Sequence, residues 1–324
     1  MQEPVFKVRG VSKAFNEHVV LDNIDLDIYS GEIIGIIGAS GAGKTTFLNT
    51  LIGFLRPDKG DIQFRLNHLL AYKNSYIYRS VFKKQSLVKQ VYGFASQVPS
   101  FYDDLTTKEN LEYFGLLYNL SRDAIKSNAE TLLNLMDLKD ASNTLAKNLS
   151  GGMERRLDIA CALMHDPDVL ILDEPTADLD PMLRNHIWQL VRKINQKGTT
   201  IILSSHHLSE LEALCNRVAI IKDSKILAVG KPEEIKKQFM VEKEIILQTN
   251  PGDYKKIVKE LSKKDISRIR ISNHTLHIHS SKPEHVMLDV MTTLKKSKED
   301  LTFINVTSAS LDDVFISIWE DKEE

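Results

Sequence analysis

The stretch Gly38-Ala39-Ser40-Gly41-Ala42-Gly43-Lys44-Thr45-Thr46 follows an apolar run and precedes a helical pattern. Its glycines let the backbone turn tightly, so that successive N–H groups converge on phosphate oxygens. The start of the following helix adds the positive end of its dipole. Lys44 suits the β- and γ-phosphates, and the Thr45 hydroxyl suits Mg²⁺. The pattern predicts a nucleoside-triphosphate site, and a glycine turn without a ligand is the weaker alternative.

Two acids, Asp173 and Glu174, follow the apolar run at residues 169–172. Ligands bind outside the carboxyl ends of strands in a doubly wound sheet, so we expect both acids beside the glycine loop. Their side chains point in different directions on an extended segment. Asp173 suits holding the water shell of Mg²⁺, and Glu174 suits orienting and deprotonating the attacking water. The alternative is an acid pair that caps a helix before Pro175.

A further strand pattern at residues 200–203 leads into Ser204-Ser205-His206-His207. It delivers an imidazole to the same sheet edge. Neighbouring side chains on an extended segment point oppositely, so only one ring should reach a γ-phosphate. We expect this ring to be His206.

A second anion site is predicted where Leu149-Ser150-Gly151-Gly152-Met153 leads into a long helical run. The Ser150 hydroxyl and the two glycine N–H groups lie at the start of that helix. Taken alone this turn is weak support, because similar turns cap many ordinary helices.

The elements that must position these residues form two regions. Residues 32–37, 169–172 and 200–204 are apolar on both faces, which is typical of central strands in a parallel sheet covered by helices. A helical region at about residues 100–165 lies between them. Residues 1–240 therefore read as an α/β domain, and residues 243–320 show a β-α-β-β-α-β order of their own.

Composition narrows the class of protein. The 324 residues carry 42 Lys plus Arg and 44 Asp plus Glu, and this balance argues against a nucleic-acid partner. No apolar run approaches a transmembrane span, and the first residues lack the pattern of a signal peptide. The two cysteines, Cys161 and Cys215, favour a reducing cytosolic compartment.

Taken together, these motifs resemble the nucleotide-binding subunit of an ABC transporter over residues 5 to about 240. The resemblance implies a P-loop NTPase of the ABC ATPase type, with a mostly parallel sheet core, an antiparallel β-arm and a helical signature subdomain. A small α+β domain of accessory or regulatory role follows at residues 243–320. The implied ligands are ATP and Mg²⁺.

The resemblance also implies roles for single residues. Phe15 matches the aromatic that stacks on adenine, Gly38–Thr46 the Walker A loop, and Ser150, Gly151 and Gly152 the signature turn. Asp173 and Glu174 match the Walker B acids and His206 the switch histidine. Gln97 matches the Q-loop glutamine, which serves both hydrolysis and the metal. Met153 stands where the family usually has Gln, which puts one polar contact near the ribose in doubt.

Partners follow from the same resemblance. Such subunits pair head to tail, as a homodimer or with a second ATPase subunit, and drive a separate integral-membrane permease from the cytoplasmic face of the cell membrane. The C-terminal extension resembles that of ABC-2 type exporters. A soluble ABC-family ATPase with a regulatory role outside transport is the alternative, and a binding module without ATPase activity is a weaker one.

Two further patterns have competing interpretations. The basic segment, residues 65–89, carries six Lys or Arg and no acid. It reads either as a solvated part of the β-arm or as a contact for anionic lipid headgroups or an acidic partner. His274, His277 and His279 suggest a metal site, but an ordinary strand surface is the favoured interpretation, because no fourth ligand is near.

Overall fold

The computed structural model describes residues 3–66, 77–83, 88–239, 243–261, 265–272, 274–296, 299–308 and 310–320. These residues belong to two compact units, Met1–Lys231 and Pro232–Glu324. The division falls before the helix Pro232–Phe239, whereas the sequence places it after that helix, near residue 240.

The first unit contains two sheets. Its strands are β1 (Pro4–Phe15), β2 (His18–Tyr29), β3 (Ile33–Ile37), β4 (Lys59–Leu66), β5 (Ile77–Ser80), β6 (Tyr92–Ala95), β7 (Val169–Asp173), β8 (Thr200–Ser204), β9 (Arg217–Lys222) and β10 (Lys225–Gly230). The larger sheet has the order β10-β9-β3-β8-β7-β6, in which only β10 runs antiparallel to its neighbour. Every residue of β3, β7 and β8 is buried, as expected for strands covered on both faces.

This strand order decides where the chemical groups meet. Four parallel neighbours, β3, β8, β7 and β6, have their carboxyl ends at one edge of the sheet. The glycine loop follows β3, the histidine pair follows β8, the two acids close β7, and Gln97 follows β6. Segments that are far apart in the chain therefore converge at a single edge.

The smaller sheet of this unit is antiparallel, with the order β2-β1-β4-β5, and is the β-arm implied by the family resemblance. Its β1–β2 hairpin carries Phe15, which pairs with His18. One core cluster joins both sheets, and includes Phe6, Phe47 and Phe64, all fully buried.

Among the described residues, the α-helices of the first unit are α1 (Lys44–Leu51), α2 (Thr107–Leu117), α3 (Arg122–Leu135), α4 (Gly151–Ala162), α5 (Pro181–Gln196) and α6 (Leu208–Leu214). The spacing of Thr106 and Glu109 predicts a capping box, and the structure confirms it at the start of α2. Helix α2 packs against α3 and α4, which together form the helical region. Both cysteines are free and buried in this unit.

The second unit begins with a helix, then follows the predicted β-α-β-β-α-β order and ends in a further helix. Its strands are β11 (Lys243–Asn250), β12 (Ile266–Ser272), β13 (Thr275–Ser280) and β14 (Asp300–Ser308), and its helices are α7 (Pro232–Phe239), α8 (Tyr254–Glu260), α9 (Pro283–Lys296) and α10 (Leu311–Glu320). The antiparallel sheet has the order β12-β13-β11-β14. A separate core, with Ile245, Ile257 and Val290 at its centre, lies between the sheet and α8 and α9. Helix α7 belongs to this unit, where it packs against α10.

Three further expectations from the sequence concern a histidine metal site, a turn at Asn273 and a membrane-spanning helix. His277 Nδ1 lies 2.7 Å from Glu244 Oε1, and the described residues contain no cluster of His, Cys, Asp or Glu that could hold a metal ion. The sequence pattern also predicts a short turn at Asn273 between two strands, and this residue lies outside the described residues. Within the described part of the chain, no helix is both long and apolar enough to cross a membrane.

Candidate active site

The glycine loop passes from β3 into α1 and is shaped by local constraints. Gly41 and Gly43 have φ of +79° and +99°, a region that side chains disfavour. A Cβ on Gly43 would lie 2.9 Å from the Val20 carbonyl oxygen, so only glycine fits where the β1–β2 hairpin meets the loop. Gly43 caps α1 without a side chain, which leaves the N–H groups of the first turn for a ligand.

Lys44 is buried at the start of α1. Its Nζ donates to the carbonyl oxygens of Gly38 at 2.9 Å and Ala39 at 3.3 Å, and lies 3.7 Å from Glu174 Oε1. The ammonium is therefore held over the loop and beside the acid. Thr45 and Ser40 are exposed on the same loop, and Thr46 is half-buried.

The two acids of β7 lie in different environments. Asp173 is 1% exposed, and its Oδ1 accepts a hydrogen bond from Ser204 Oγ at 2.5 Å. The Glu174 N–H donates to the same hydroxyl at 3.0 Å. Ser204 thus bridges the pair from β8. Sequence reasoning missed this role, although a serine that ends the neighbouring strand is a signal that could have shown it.

Glu174 adopts a strained backbone conformation, with φ of 49°, in the left-handed region. Its carboxylate accepts from His206, where Nδ1 lies 2.8 Å and the backbone nitrogen 3.3 Å from Oε2. Non-glycine residues keep such strain only when the surroundings hold them, and this commonly occurs at functional sites. Here the bonds to Lys44, Ser204 and His206 supply that support.

The two histidines have different polar partners, but their ring centroids are only 4.1 Å apart, so the side chains do not point in opposite directions as expected for an extended segment. His206 contacts Glu174, and His207 Nε2 lies 3.2 Å from Arg184 Nη1 on α5. Burial lowers the pKa of His207, and the nearby His206 lowers it further. His206 is therefore the imidazole that contacts Glu174 at the sheet edge.

Gln97 lies in the exposed turn after β6. The preceding carbonyl, that of Ser96, accepts from Arg155 Nη1 at 2.5 Å. Arg155 also contacts Asp158 Oδ2 at 3.2 Å inside α4. Sequence reasoning missed Arg155, and an Arg–Asp pair three residues apart within an apolar helical run was the available signal.

The serine-glycine turn starts α4. Ser150 is the N-cap, is exposed and makes no side-chain capping bond, so its hydroxyl is available to a ligand. A Cβ on Gly151 would meet nothing within 4 Å, while one on Gly152 would lie 2.8 Å from Leu183 Cδ2. Gly151 therefore leaves open space for a ligand at the helix start, and Gly152 allows close packing on α5.

The remaining predicted residue, Phe15, ends β1 and is 46% exposed. Lys13 Nζ lies 5.6 Å from the centroid of its ring. The β1–β2 hairpin that carries Phe15 touches the glycine loop through Val20 and Gly43. An exposed ring at this place is suited to stacking on a nucleotide base.

These elements have the arrangement of a P-loop ATPase, with two acids, a lysine and an imidazole at one sheet edge. The family model for ABC transporters matches residues 21–177. The chain belongs to this family, and it is an ATP-binding, ATP-hydrolysing subunit of an ABC transporter.

Individual relatives agree with this assignment. The chain is 30% identical over 319 residues to Nod factor export ATP-binding protein I of Rhizobium sp. (strain N33), with 98% of each chain covered. It is 32% identical over 231 residues to linearmycin resistance ATP-binding protein LnrL of Bacillus subtilis (strain 168), covering 71% of this chain and 70% of LnrL. The solved structure of cbiO1 from Clostridium perfringens, described as part of the ABC transporter complex cbiONQ, superposes with a TM-score of 0.63 at 26% identity. It covers 72% of this chain and 91% of cbiO1.

Proposed function

We propose that this chain is the ATPase subunit of an exporter and that its ATP site is the sheet edge built around Glu174. One observation carries the proposal. Glu174 lies 3.7 Å from Lys44 Nζ and 2.8 Å from His206 Nδ1, so groups from three neighbouring strands meet at one carboxylate. A lysine for phosphates, an acid for water and an imidazole are the groups that phosphoryl transfer to water requires.

Each residue of the proposed site has one role in ATP binding or hydrolysis. Lys44 and the N–H groups of the glycine loop bind the β- and γ-phosphates, and Phe15 stacks on the adenine. Glu174 accepts a proton from the attacking water, and His206 holds Glu174 and the γ-phosphate in place. Gln97 orients the water from the turn after β6.

The residues also fit a magnesium ion. Thr45 presents an exposed hydroxyl, Gln97 an exposed amide, and Asp173 a carboxylate that Ser204 orients. Oxygen donors of this kind, few in number, suit Mg²⁺ that is held partly by phosphates and waters. When bound, the ion neutralises charge on the β- and γ-phosphates.

Two copies are proposed to act together. The Ser150 hydroxyl and the open helix start at Gly151 form an anion site on α4 that does not belong to the sheet edge. In a head-to-tail pair, the Ser150 turn of one subunit closes on the ATP bound by the other. The second subunit is either an identical chain or a related ATPase.

The transport role is proposed from the relatives. One of them, named for Nod factor export, matches 98% of this chain, which favours an exporter over an ATPase outside transport. The cbiO1 structure belongs to a transporter complex, and this supports a separate integral-membrane permease as the partner. We place the subunit at the cytoplasmic face of the membrane, where ATP is available.

The basic segment contributes less to a membrane contact than its composition predicts. Arg65 is buried, and its Nη1 donates to the Glu3 carbonyl oxygen at 2.7 Å, so this side chain is a part of the β-arm. Arg79, Lys83 and Lys89 are exposed, while Lys73 and Lys84 lie outside the described residues. A contact with anionic lipid headgroups would therefore depend on the other five cations of the segment.

The test is Glu174→Gln with Glu130→Gln, an exposed position on α3, as the matched control. The amide keeps the reach of the acid but cannot accept a proton, so ATP affinity should hold while turnover falls by roughly 10²-fold or more. With ATP and Mg²⁺, gel filtration should show a shift toward a dimer for Glu174→Gln only. Wild-type hydrolysis by Glu174→Gln would exclude it as the base, and lost turnover without a dimer would count against the head-to-tail pair.

A further inference from the structure

Arg184 lies on α5 and contacts residues at the start of α6. It is in the first turn of α5, and it reaches the start of α6, where His207 is the N-cap and Glu210 is in the first turn. Arg184 Nη1 lies 3.2 Å from His207 Nε2 and 3.3 Å from Glu210 Oε1. One guanidinium nitrogen thus holds both residues.

The arginine contact defines the state of the His207 ring. A guanidinium has donors only, so Nε2 of His207 must accept and the ring proton must be on Nδ1. Burial lowers the pKa of His207, and His206 and Arg184 lower it as well, against the opposing charges of Glu210 and Glu174. The ring is therefore neutral and held in one tautomer.

His207 in turn lies against His206. The ring centroids are 4.1 Å apart with an angle of 43° between the planes. His206 is otherwise half-exposed, and its contact with Glu174 at 2.8 Å is made by one ring nitrogen. A neighbouring ring on one side reduces the orientations open to His206, which favours the one that meets Glu174.

The Arg184 guanidinium contacts His207 and does not form the paired hydrogen bonds with Glu210 that would be the stronger ion pair. Arg184 Nε and Glu210 Oε2 are both buried and have no hydrogen-bond partner among the described residues. Parallel bonds between a guanidinium and a carboxylate would satisfy both atoms and would be the stronger arrangement. The observed geometry instead divides Nη1 between Glu210 and His207.

We propose that Arg184 is a positioning residue for ATP hydrolysis, which acts through His207 to hold His206 in its orientation against Glu174. The inference rests on the proposed roles of Glu174 and His206. The proposed contacts run from Arg184 on α5 through His207 and His206 to Glu174. They therefore connect α5 to the groups that react.

The chain offers a matched control on the same helix. Arg192 Nη2 donates to the Ala213 carbonyl oxygen at 3.0 Å, so it also joins α5 to α6, but this bond does not involve His207. Arg184 and Arg192 line one cavity of about 450 Å³ between these helices. Water can fill the space that either side chain vacates, so both variants should fold.

The experiment compares Arg184→Met with Arg192→Met in steady-state ATP hydrolysis. We expect Arg184→Met to lower kcat five- to tenfold while the KM for ATP stays within twofold, because the phosphate-binding groups are untouched. Arg192→Met should keep both constants within twofold of wild type. In a His207→Gln background, which lacks the ring, Arg184→Met should have no further effect on kcat.

Other outcomes have distinct meanings. Equal losses in the two arginine variants, or an Arg184→Met effect that persists in full in the His207→Gln background, would overturn the positioning role. If His206→Ala and Glu174→Gln hydrolyse ATP like wild type, the proposed function itself fails. If those two variants are inactive and Arg184→Met equals wild type, only the role of Arg184 is lost.

Discussion

Arg155 Nη2 donates a hydrogen bond to the backbone carbonyl oxygen of Asp173 at 3.0 Å. Its Nε donates to the Pro175 carbonyl oxygen at 3.0 Å, and Nη1 donates to that of Ser96. The side chain is almost fully buried, and burial lowers its pKa against the opposing charges of Asp158 and Asp173. Arg155 on α4 therefore holds in place the segments that carry Gln97 and the two acids.

Arg155→Met should destabilise the first unit. The change removes the donor to three carbonyl oxygens and to Asp158 Oδ2, while Ser100 still donates to Asp158 Oδ1, so we expect the free energy of unfolding to fall by about 3 kcal/mol. Chemical denaturation measures it. Arg156→Met is the control, since Arg156 is less buried and donates to the Met136 carbonyl oxygen instead. A loss of equal size at Arg156 would contradict the special place of Arg155.

His206→Ala should reduce hydrolysis far more than His207→Ala. His206 contacts Glu174 directly, so its removal should lower kcat by roughly 10²-fold, within the range of a lost acid–base group. His207 acts through His206, so its removal should lower kcat by roughly tenfold or less. Single-turnover ATPase measurements distinguish the two, and a greater loss at His207 would reverse the assignment.

A chain that ends at Lys231 should still bind ATP. The core of the first unit, which runs from Val5 to Ile221, shares no residue with the core of the second. Calorimetric titration should give a dissociation constant close to that of the full chain. Loss of nucleotide binding would show that the two units do not fold separately.

The position of the cut provides a further check. A chain that ends at residue 241 keeps α7 but removes α10, the helix that packs against it, and so exposes the face of α7 that α10 covers. Light scattering should therefore find more aggregation for the cut at 241 than for the cut at 231. The opposite ranking would favour a boundary after α7.

His165 should make the stability of the protein depend on pH. Burial lowers its pKa to about 4, and Nε2 contacts the Tyr92 carbonyl oxygen at 3.2 Å while the buried Nδ1 has no partner among the described residues. The unfolded chain binds this proton below about pH 6.5 and the folded chain does not, so stability falls as the pH drops from 6.5 toward 4. The loss should approach about 3 kcal/mol at pH 4.

His165→Phe isolates that contribution. The ring keeps its stacking on Tyr118, which lies 3.6 Å away between centroids, but it cannot titrate. The free energy of unfolding measured between pH 4 and 6.5 should therefore depend less steeply on pH in the variant. Equal slopes for the two proteins would assign the pH dependence to other groups.

Several features were predictable because they depend on short, contiguous patterns. The runs that form β7 and β8, the glycine loop before α1 and the capping box of α2 each combine a local conformational preference with a nearby chemical signal. The same holds for the β-α-β-β-α-β order of the second unit. Such patterns identify which residues could act and on which ends of strands they lie.

Only the tertiary structure decided which of these groups touch. The order of the strands places β8 between β3 and β7, and this brings Ser204 to Asp173 and His206 to Glu174 across about 30 residues of chain. Arg155 and Arg184 likewise find partners that are distant in the chain, such as Ser96 and His207. Periodicity reports how a segment folds and which face it buries, whereas the choice among distant partners depends on how whole elements pack.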